Sequence, residues 1–533
     1  MADDSRIVGK HTLETLTTGM YADNRIIFRE YIQNSADAID KAVAEGILAS
    51  QDEGRIDITI NREHRQIRIR DNGTGIRSEQ VYHILGDVGK SQKNYAENRG
   101  FRGIGRLGGL GYCNELQFIT SYKGEHKKTI TIWDCNELKR LLQPSIEKDL
   151  SLIDVINSVT IQDNTQPEDQ EKHYFEVILS GINEGHNSLL DEDDIQDYLS
   201  QVAPVPFNYQ DFSLLQKINQ KFEELKIESE EFKIWLNNQQ IYKPYKSYVF
   251  IGEKDEKKDF IKDIQFFECR KDDNSLFFLG WYGTRDNYSI MIKDETVNGL
   301  RIRKRNILIG NNRTADSFFG NNTNARFNRN FIGEIYVFDD DLLPNGRRDD
   351  FEKNPVYFHF KTEIEKTTKG ILAVLPRNAQ QVRSSDKALQ QVPQKIETYQ
   401  KELENGVTES RKEQIRKDIQ ELKKQTNRIN PTAYTKIQTD PACPADSKEI
   451  HTKKAKEAEI EKKNLLDQLN LLEEKTQATK KRLTDGLSPI DKPTRKTIER
   501  IFNVIDRMLE EGLAKEVKAQ IIEEFKQKSK ETK

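Results

Sequence analysis

The chain has 533 residues, of which 35% are hydrophobic and 32% charged, a size that calls for about three or four domains and a balance that excludes a fully disordered chain. A formal net charge of -4 is small for this length and gives no overall electrostatic case for nucleic acid, an anionic membrane or an acidic substrate. The cysteines, Cys113, Cys135, Cys269 and Cys443, lie far apart without CxxC spacing, which fits reduced thiols better than a disulfide framework or a zinc site. The polar start MADDSRIVGK has no leader pattern, and no run of about 18 apolar residues occurs, so the expectation is a cytoplasmic protein without a membrane span.

In chain order, residues 25 to 44 predict a helix, because Ile27, Tyr31, Ala38 and Ile39 supply an apolar stripe at helical spacing. Alternation in Ile56 to Ile60 and in Ile67 to Asp71 predicts two strands with one face against helices. Glycine is dense from Gly86 to Gly111, too long a stretch for a simple turn, and suggests a loop that wraps a ligand. Strand-like runs return at Leu116 to Tyr122, Thr129 to Trp133 and Phe175 to Leu179, and close a mixed α/β domain over about 1–230.

A second, α+β domain is expected over 231–380, from the runs Tyr248 to Ile251, Leu276 to Trp281, Ile307 to Ile309 and Ile332 to Phe338. Beyond residue 384 the composition turns to Lys, Glu and Gln. Ile415, Ile419 and Leu422 predict amphipathic helices over 384–429; Pro431, Pro441 and Pro444 predict a loop or hinge over 430–450. Leu465, Leu469 and Leu472, then Ile498, Ile501, Ile505, Met508 and Leu509, predict a helical region over 451–533 for dimerisation or a partner.

The residues with chemistry lie early. Glu30, Asn34 and Asp37 fall at i, i+4 and i+7 of the first helix, so a carboxylate, an amide and a second carboxylate share one face. Glu30 can orient and deprotonate a water, and the Asn34 oxygen is a hard ligand suited to Mg2+ on nucleotide phosphates; alone, the trio reads more simply as a solvated helix face. Asp71 ends a strand and is followed by Asn72-Gly73-Thr74-Gly75, where a flat ligand such as a nucleobase can approach the backbone. Lys90 and Ser91 close GDVGKS, and Gly108, Gly109, Leu110, Gly111 and Tyr112 offer backbone amides for phosphates. GDVGKS is not a P-loop, because that motif needs a glycine where this chain has Ile84.

Taken in order, FREYIQNSADAIDK, IRIRDNGTGI, ILGDVGKS and GRLGGLGY resemble four consecutive motifs of the heat-shock protein 90 chaperones, within the gyrase, heat-shock protein 90, histidine kinase and MutL (GHKL) ATPase superfamily. The resemblance implies a Bergerat-type α/β sandwich with ATP between helices and a mixed sheet. By residue, it implies Glu30 as the catalytic glutamate, Asn34 as magnesium ligand, and Asp71, with Gly73 and Gly75, at the adenine. Lys90 and Ser91 match positions near the nucleotide; Gly108, Gly109, Leu110, Gly111 and Tyr112 match the phosphate-binding amides; Asp37 matches a family position beside the nucleotide. Two departures stand out. The family's Gly-Thr pair, whose threonine supports the adenine aspartate, is missing from His173 to Leu179, and Gly100-Phe101-Arg102-Gly103 resembles the MutL branch.

GEIYVFDDDLLPNGRRDDFE is similar to the stretch of the chaperone middle domain that carries an arginine to the γ-phosphate, which makes Arg347 or Arg348 the counterpart. Arg301, Arg303 and Arg305 share one strand face, to be read either as an exposed face or as a contact to the phosphates of ATP or nucleic acid. The resulting expectation is a Mg2+-dependent ATPase that works as a homodimeric clamp on a protein client or partner. A DNA-associated clamp like MutL and the topoisomerases, or an ATP-sensing scaffold without turnover, are the alternatives.

Overall fold

The computed structural model describes residues 12, 23–87, 99, 105–143, 150–252, 257–436, 445–477 and 492–531. The chain divides into two compact units, one of Met1–Asp286 with Ile290–Ala373, the other of Val374–Lys533 with Asn287–Ser289. Lys90 and Ser91 lie outside the described residues, as do Gly100 to Gly103.

In the first unit, the stripe of helix α1 (Ile26–Ala44) is buried at Ile27, Tyr31 and Ile39, as its spacing requires. The polar side is buried too: Glu30 and Asp37 are each 7% exposed. The helix faces an eight-stranded sheet of β1 (Arg55–Asn61), β2 (Gln66–Asp71), β3 (Glu115–Ser121), β4 (Lys127–Asp134), β5 (Thr160–Pro167), β6 (Tyr174–Ser180), β7 (Lys233–Leu236) and β8 (Gln239–Gln240). Their order is β5-β4-β3-β6-β2-β1-β7-β8, antiparallel except where β1 meets β7. Ile56, Ile58, Ile60, Ile67 and Ile69 alternate into the core shared with α1. This sheet runs past the expected boundary at 230. Ile234 and Leu236 pair with Ile56 and Ile58 and join the same buried face, so residues up to Gln240 belong to it.

The remainder of this unit holds a hairpin, β9 (Tyr248–Ile251) with β10 (Lys257–Phe260), and a five-stranded sheet of β11 (Asp263–Arg270), β12 (Leu276–Thr284), β13 (Gly299–Lys304), β14 (Ile307–Ile309) and β15 (Ile332–Val337). The order is β11-β12-β15-β13-β14, with β13 parallel to β15. An apolar core that includes Trp281, Ile264 and Ile332 lies against it, followed by the helix Pro355–Thr367.

The arginine-rich strand departs from both sequence readings. Arg301 and Arg303 are 0% exposed, and Arg305 is not on the strand at all. Arg305 and Asn306 form the two-residue turn between β13 and β14, both with left-handed φ (48° and 57°), the conformation that tight hairpins require. Arg301 donates to the carbonyls of Val297, Asn298, Gly299, Glu295 and Thr296, which use its fork of donors in place of water. Arg303 and Lys243 converge on Glu334, with Lys243 Nζ 2.7 Å from Glu334 Oε2, and the Tyr336 hydroxyl adds a further bond. Burial pulls the Lys243 pKa below its ordinary value. It works against the Glu334 charge too, yet Arg303 and Lys243 hold that carboxyl well below the usual range.

In the second unit, helices Val374–Glu404, Glu409–Asn427 and Ala445–Gln477 bury Val392, Ile396, Ile415, Ile419, Leu422, Leu465, Leu469 and Leu472 in one core. Leu465, Leu469 and Leu472 therefore do not form an intersubunit surface, because Ile415, Ile419 and Leu422 of the same chain cover them. Where a loop was expected, Pro431–Lys436 is helical; Pro431 takes the first helical position, where a missing N–H costs nothing. Helices Lys492–Met508 and Glu511–Glu531 pair through Ile498 and Phe502 with Ile521, Ile522 and Phe525, leaving Ile501, Val504, Met508 and Leu513 exposed. No helix among the described residues is long and apolar enough to cross a membrane.

Glu334 is the anion on which two buried cations depend. Replacing it by alanine leaves Arg303 and Lys243 desolvated and unpaired, and urea unfolding is expected to show a loss of about 3–5 kcal/mol.

Candidate nucleotide-binding site

Glu30 and Asn34 stand one turn apart on α1, Glu30 buried and Asn34 half-buried, with Asp37 a turn further on. The Glu30 carboxylate is gripped from both sides. Its Oε1 accepts a bond from Arg348 Nε at 3.0 Å. Gly105 lies against its Oε2 so closely that a Cβ there would stand only 2.1 Å away, which explains the glycine. Arg348 sits in the Asn345–Asp350 turn at φ 56°, a strained value for a side-chain-bearing residue, and the turn is fixed by the bonds Arg348 N–H to Asn345 O (3.1 Å) and Gly310 N–H to Arg348 O (2.8 Å). Of the two candidate arginines, only Arg348 meets Glu30. The Arg347 side chain is exposed, and its carbonyl accepts from Arg29 Nη2 at 3.1 Å.

Asp37 does something the motif does not reveal. Its Oδ1 accepts the main-chain N–H of Arg99 at 2.9 Å, and the Arg99 guanidinium stands 3.6 Å from it.

Asp71 ends β2 and is buried. The Gly73 N–H donates to it at 2.9 Å, the Ser35 hydroxyl and the Phe175 N–H add further bonds, and burial still lifts its pKa to about 7. Ser35 and the Phe175 amide thus support the Asp71 carboxylate. Gly75 (φ 66°) passes so near β3 that a Cβ would stand 2.0 Å from the Ser121 carbonyl oxygen. The turn is anchored further by His173 Nδ1 on the Gly73 carbonyl at 2.9 Å.

The segment Gly105–Gly111 is a 3-10 turn with Gly108, Gly109 and Leu110 buried. Tyr31 staples it to α1: its hydroxyl donates to the Arg106 carbonyl and accepts from the Gly109 N–H, both at 3.1 Å. The Tyr112 N–H donates to the Gly109 carbonyl, and the Gly111 carbonyl accepts from Asn183 Nδ2. Two of the amides expected to cradle phosphate, those of Gly109 and Tyr112, are therefore engaged inside the protein. Tyr31 was legible only as a core residue, Ser35 only as part of a motif and Phe175 only as part of a strand; Arg99 carried no sequence signal.

A strand-end carboxylate under a glycine turn, a buried helix carboxylate under a second glycine segment, and a mixed sheet behind both describe a known kind of site. The family described as histidine kinase-, DNA gyrase B-, and HSP90-like ATPase matches residues 25–164. Residues 25–164 therefore carry a domain of the GHKL superfamily. The GHKL domain is similar to chaperone protein HtpG of Natranaerobius thermophilus, with 26% identity over 191 residues, 32% of this chain and 30% of that one. HtpG of Fusobacterium nucleatum is 36% identical over 87 residues, 15% of this chain and 14% of its own. The HtpG of Clostridium botulinum strain Langeland is 23% identical over 322 residues, 57% of this chain and 48% of its own, a span that reaches beyond the GHKL domain. The matched stretches thus cover less than half of each of these relatives.

The raised pKa of Asp71 has a consequence for stability. Between about pH 4 and 7 the folded state holds a proton on Asp71 that the unfolded chain has released, so this group makes stability fall as pH rises through that window. Melting without nucleotide at pH 5 and pH 8 is expected to show a smaller drop for Asp71→Asn than for the unmodified protein.

Proposed function

We propose that the protein is a Mg2+-dependent ATP hydrolase that works as a homodimeric, chaperone-like clamp on a protein client or partner. The observation that carries this reading is the 3.0 Å contact between Arg348 and Glu30, which joins a base to the cation that phosphoryl transfer needs. Asp71 accepts the adenine amino group at the floor of the site, with Gly73 and Gly75 letting the ring approach. Glu30 takes a proton from the attacking water. A terminal phosphate that faces Glu30 also meets Arg348, because the two side chains touch.

Among the described residues, no cluster of three or more acidic, histidine or cysteine side chains offers a protein cage for a metal. The donor set at α1, a single amide oxygen from Asn34 beside carboxylates, instead fits Mg2+ held mainly by phosphates and water. Bound there, the ion would neutralise phosphate charge, with Asn34 as its protein ligand.

Dimerisation is supported by the exposed face Ile501, Val504 and Met508 on Lys492–Met508, with Leu513 beyond it. The similarity to HtpG, a chaperone by name, supports the client reading and a cytoplasmic site of action. The DNA-clamp alternative loses its footing at Arg301 and Arg303, which are buried and turned to acceptors within the protein.

ATP turnover and ATP binding, measured on the same samples, test the reading. Glu30→Ala is expected to bind ATP and to lose turnover by about 100-fold or more. Arg348→Ala is expected to lose about 100-fold or more in kcat, whereas Arg347→Ala stays near the unmodified rate. Binding without turnover by the unmodified protein would support the sensing scaffold instead, and salt-sensitive DNA binding would revive the DNA clamp.

A further inference from the structure

Arg99 belongs to none of the motifs that point to the site, yet it touches several separate parts of the site's framework. Its main-chain N–H donates to Asp37 Oδ1 at 2.9 Å, and its main-chain carbonyl accepts from Arg348 Nη2 at 3.0 Å. Its guanidinium is 1% exposed and is bonded to Asp40, with Asp37 and Glu230 each 3.6 Å away. The Phe232 ring lies under it at 4.9 Å, and Arg99 Nε reaches the carbonyl of Arg305 at 3.4 Å. One side chain therefore joins α1, the segment that leads into β7, and the β13–β14 turn.

Burial works against the charge of Arg99, but Glu230, Asp40 and Asp37 together hold its pKa above the ordinary value. Arg305 shares the load, with its Nη1 3.5 Å from Glu230. Removing the Arg99 guanidinium would leave three carboxylates facing one remaining cation, and the peptide at 99 would be held only by its own N–H on Asp37.

The second edge of Arg348 depends on that peptide. Its Nε is on Glu30 and its Nη2 on the Arg99 carbonyl, so two of its donors are set by two separate elements. We infer that Arg99 is a positioning residue for ATP hydrolysis: anchored by Asp37, Asp40 and Glu230, it fixes the carbonyl that aims Arg348 at Glu30. The inference rests on the ATPase reading above and extends it to a residue that does not itself meet the nucleotide.

A double-mutant cycle in ATP turnover tests this, with kcat and KM read separately for the unmodified full chain, Arg99→Ala, Arg99→Lys, Arg348→Ala and the Arg99→Ala/Arg348→Ala pair. Arg99→Ala is expected to lower kcat by about 10- to 100-fold with little change in KM for ATP, the effect of misaiming rather than of lost binding. Arg99→Lys, which keeps the charge without the planar fork, is expected to recover part of that loss. The pair is expected to fall no further than Arg348→Ala alone, because Arg99 acts through Arg348. Should Arg99→Ala fail to fold, Asp40→Asn and Arg99→Lys carry the same cycle. Losses that multiply independently, or an unchanged kcat in Arg99→Ala, overturn the positioning role while leaving the ATPase intact. Absence of turnover in the unmodified protein overturns the ATPase reading, and the positioning role falls with it.

Discussion

A carboxylate and a guanidinium 318 residues apart in sequence meet at 3.0 Å with little access to water. Neither Glu30 nor Arg348 is cheap to bury. An uncompensated charge in such surroundings costs several kcal/mol, so each side chain is tolerable there only because the other arrives. Much of the first unit can be understood as the means of that arrival. Gly105 leaves room at one carboxylate oxygen, Arg99 holds the far edge of the arginine, and Arg29 ties down the neighbouring carbonyl of Arg347.

The same economy recurs deeper in the unit. Glu334 answers both Arg303 and Lys243, while Asn306 accepts from Lys243 and donates to the carbonyls of Ser229 and Glu230. The turn that carries Asn306 also presents the Arg305 carbonyl to Arg99. A buried ionic cluster under the second sheet and the polar framework around Glu30 are thus neighbours through one two-residue turn. Such networks are weak devices for stability, since apolar packing would often serve as well. Their geometric demand is strict, because every donor needs its acceptor in place.

Asp71 shows the opposite balance. It has three hydrogen-bond donors and the charge of Arg70, but among the described residues no ion pair, so burial prevails and its pKa rises to about 7. A carboxyl left poised in this way is less stable than the fold could make it. Under the proposed function, an adenine amino group arriving as donor would compensate for it and link binding to the stability of the domain.

The first helix, the strands β1 and β2 with their alternating isoleucines, and the residues Glu30, Asn34, Asp71 and Gly75 were all legible in the sequence. Each depends on local periodicity or on a short motif that keeps its meaning wherever the chain goes. What the sequence could not decide was every contact made across distance. Arg347 and Arg348 are adjacent and chemically identical, and only the left-handed turn at Arg348 selects which one faces Glu30. Alternation made Arg301 and Arg303 look like a solvated face, but a strand with a neighbour on each side in a five-stranded sheet, with carbonyls within reach of most of their donors, buries them. Leu465, Leu469 and Leu472 announced an apolar stripe without naming its cover, which Ile415, Ile419 and Leu422 of the same chain provide. Local pattern therefore determined which elements form and which residues share a helix face or a strand end; the tertiary structure alone decided which charges meet, because pairing depends on distance in space, and a linear pattern carries none.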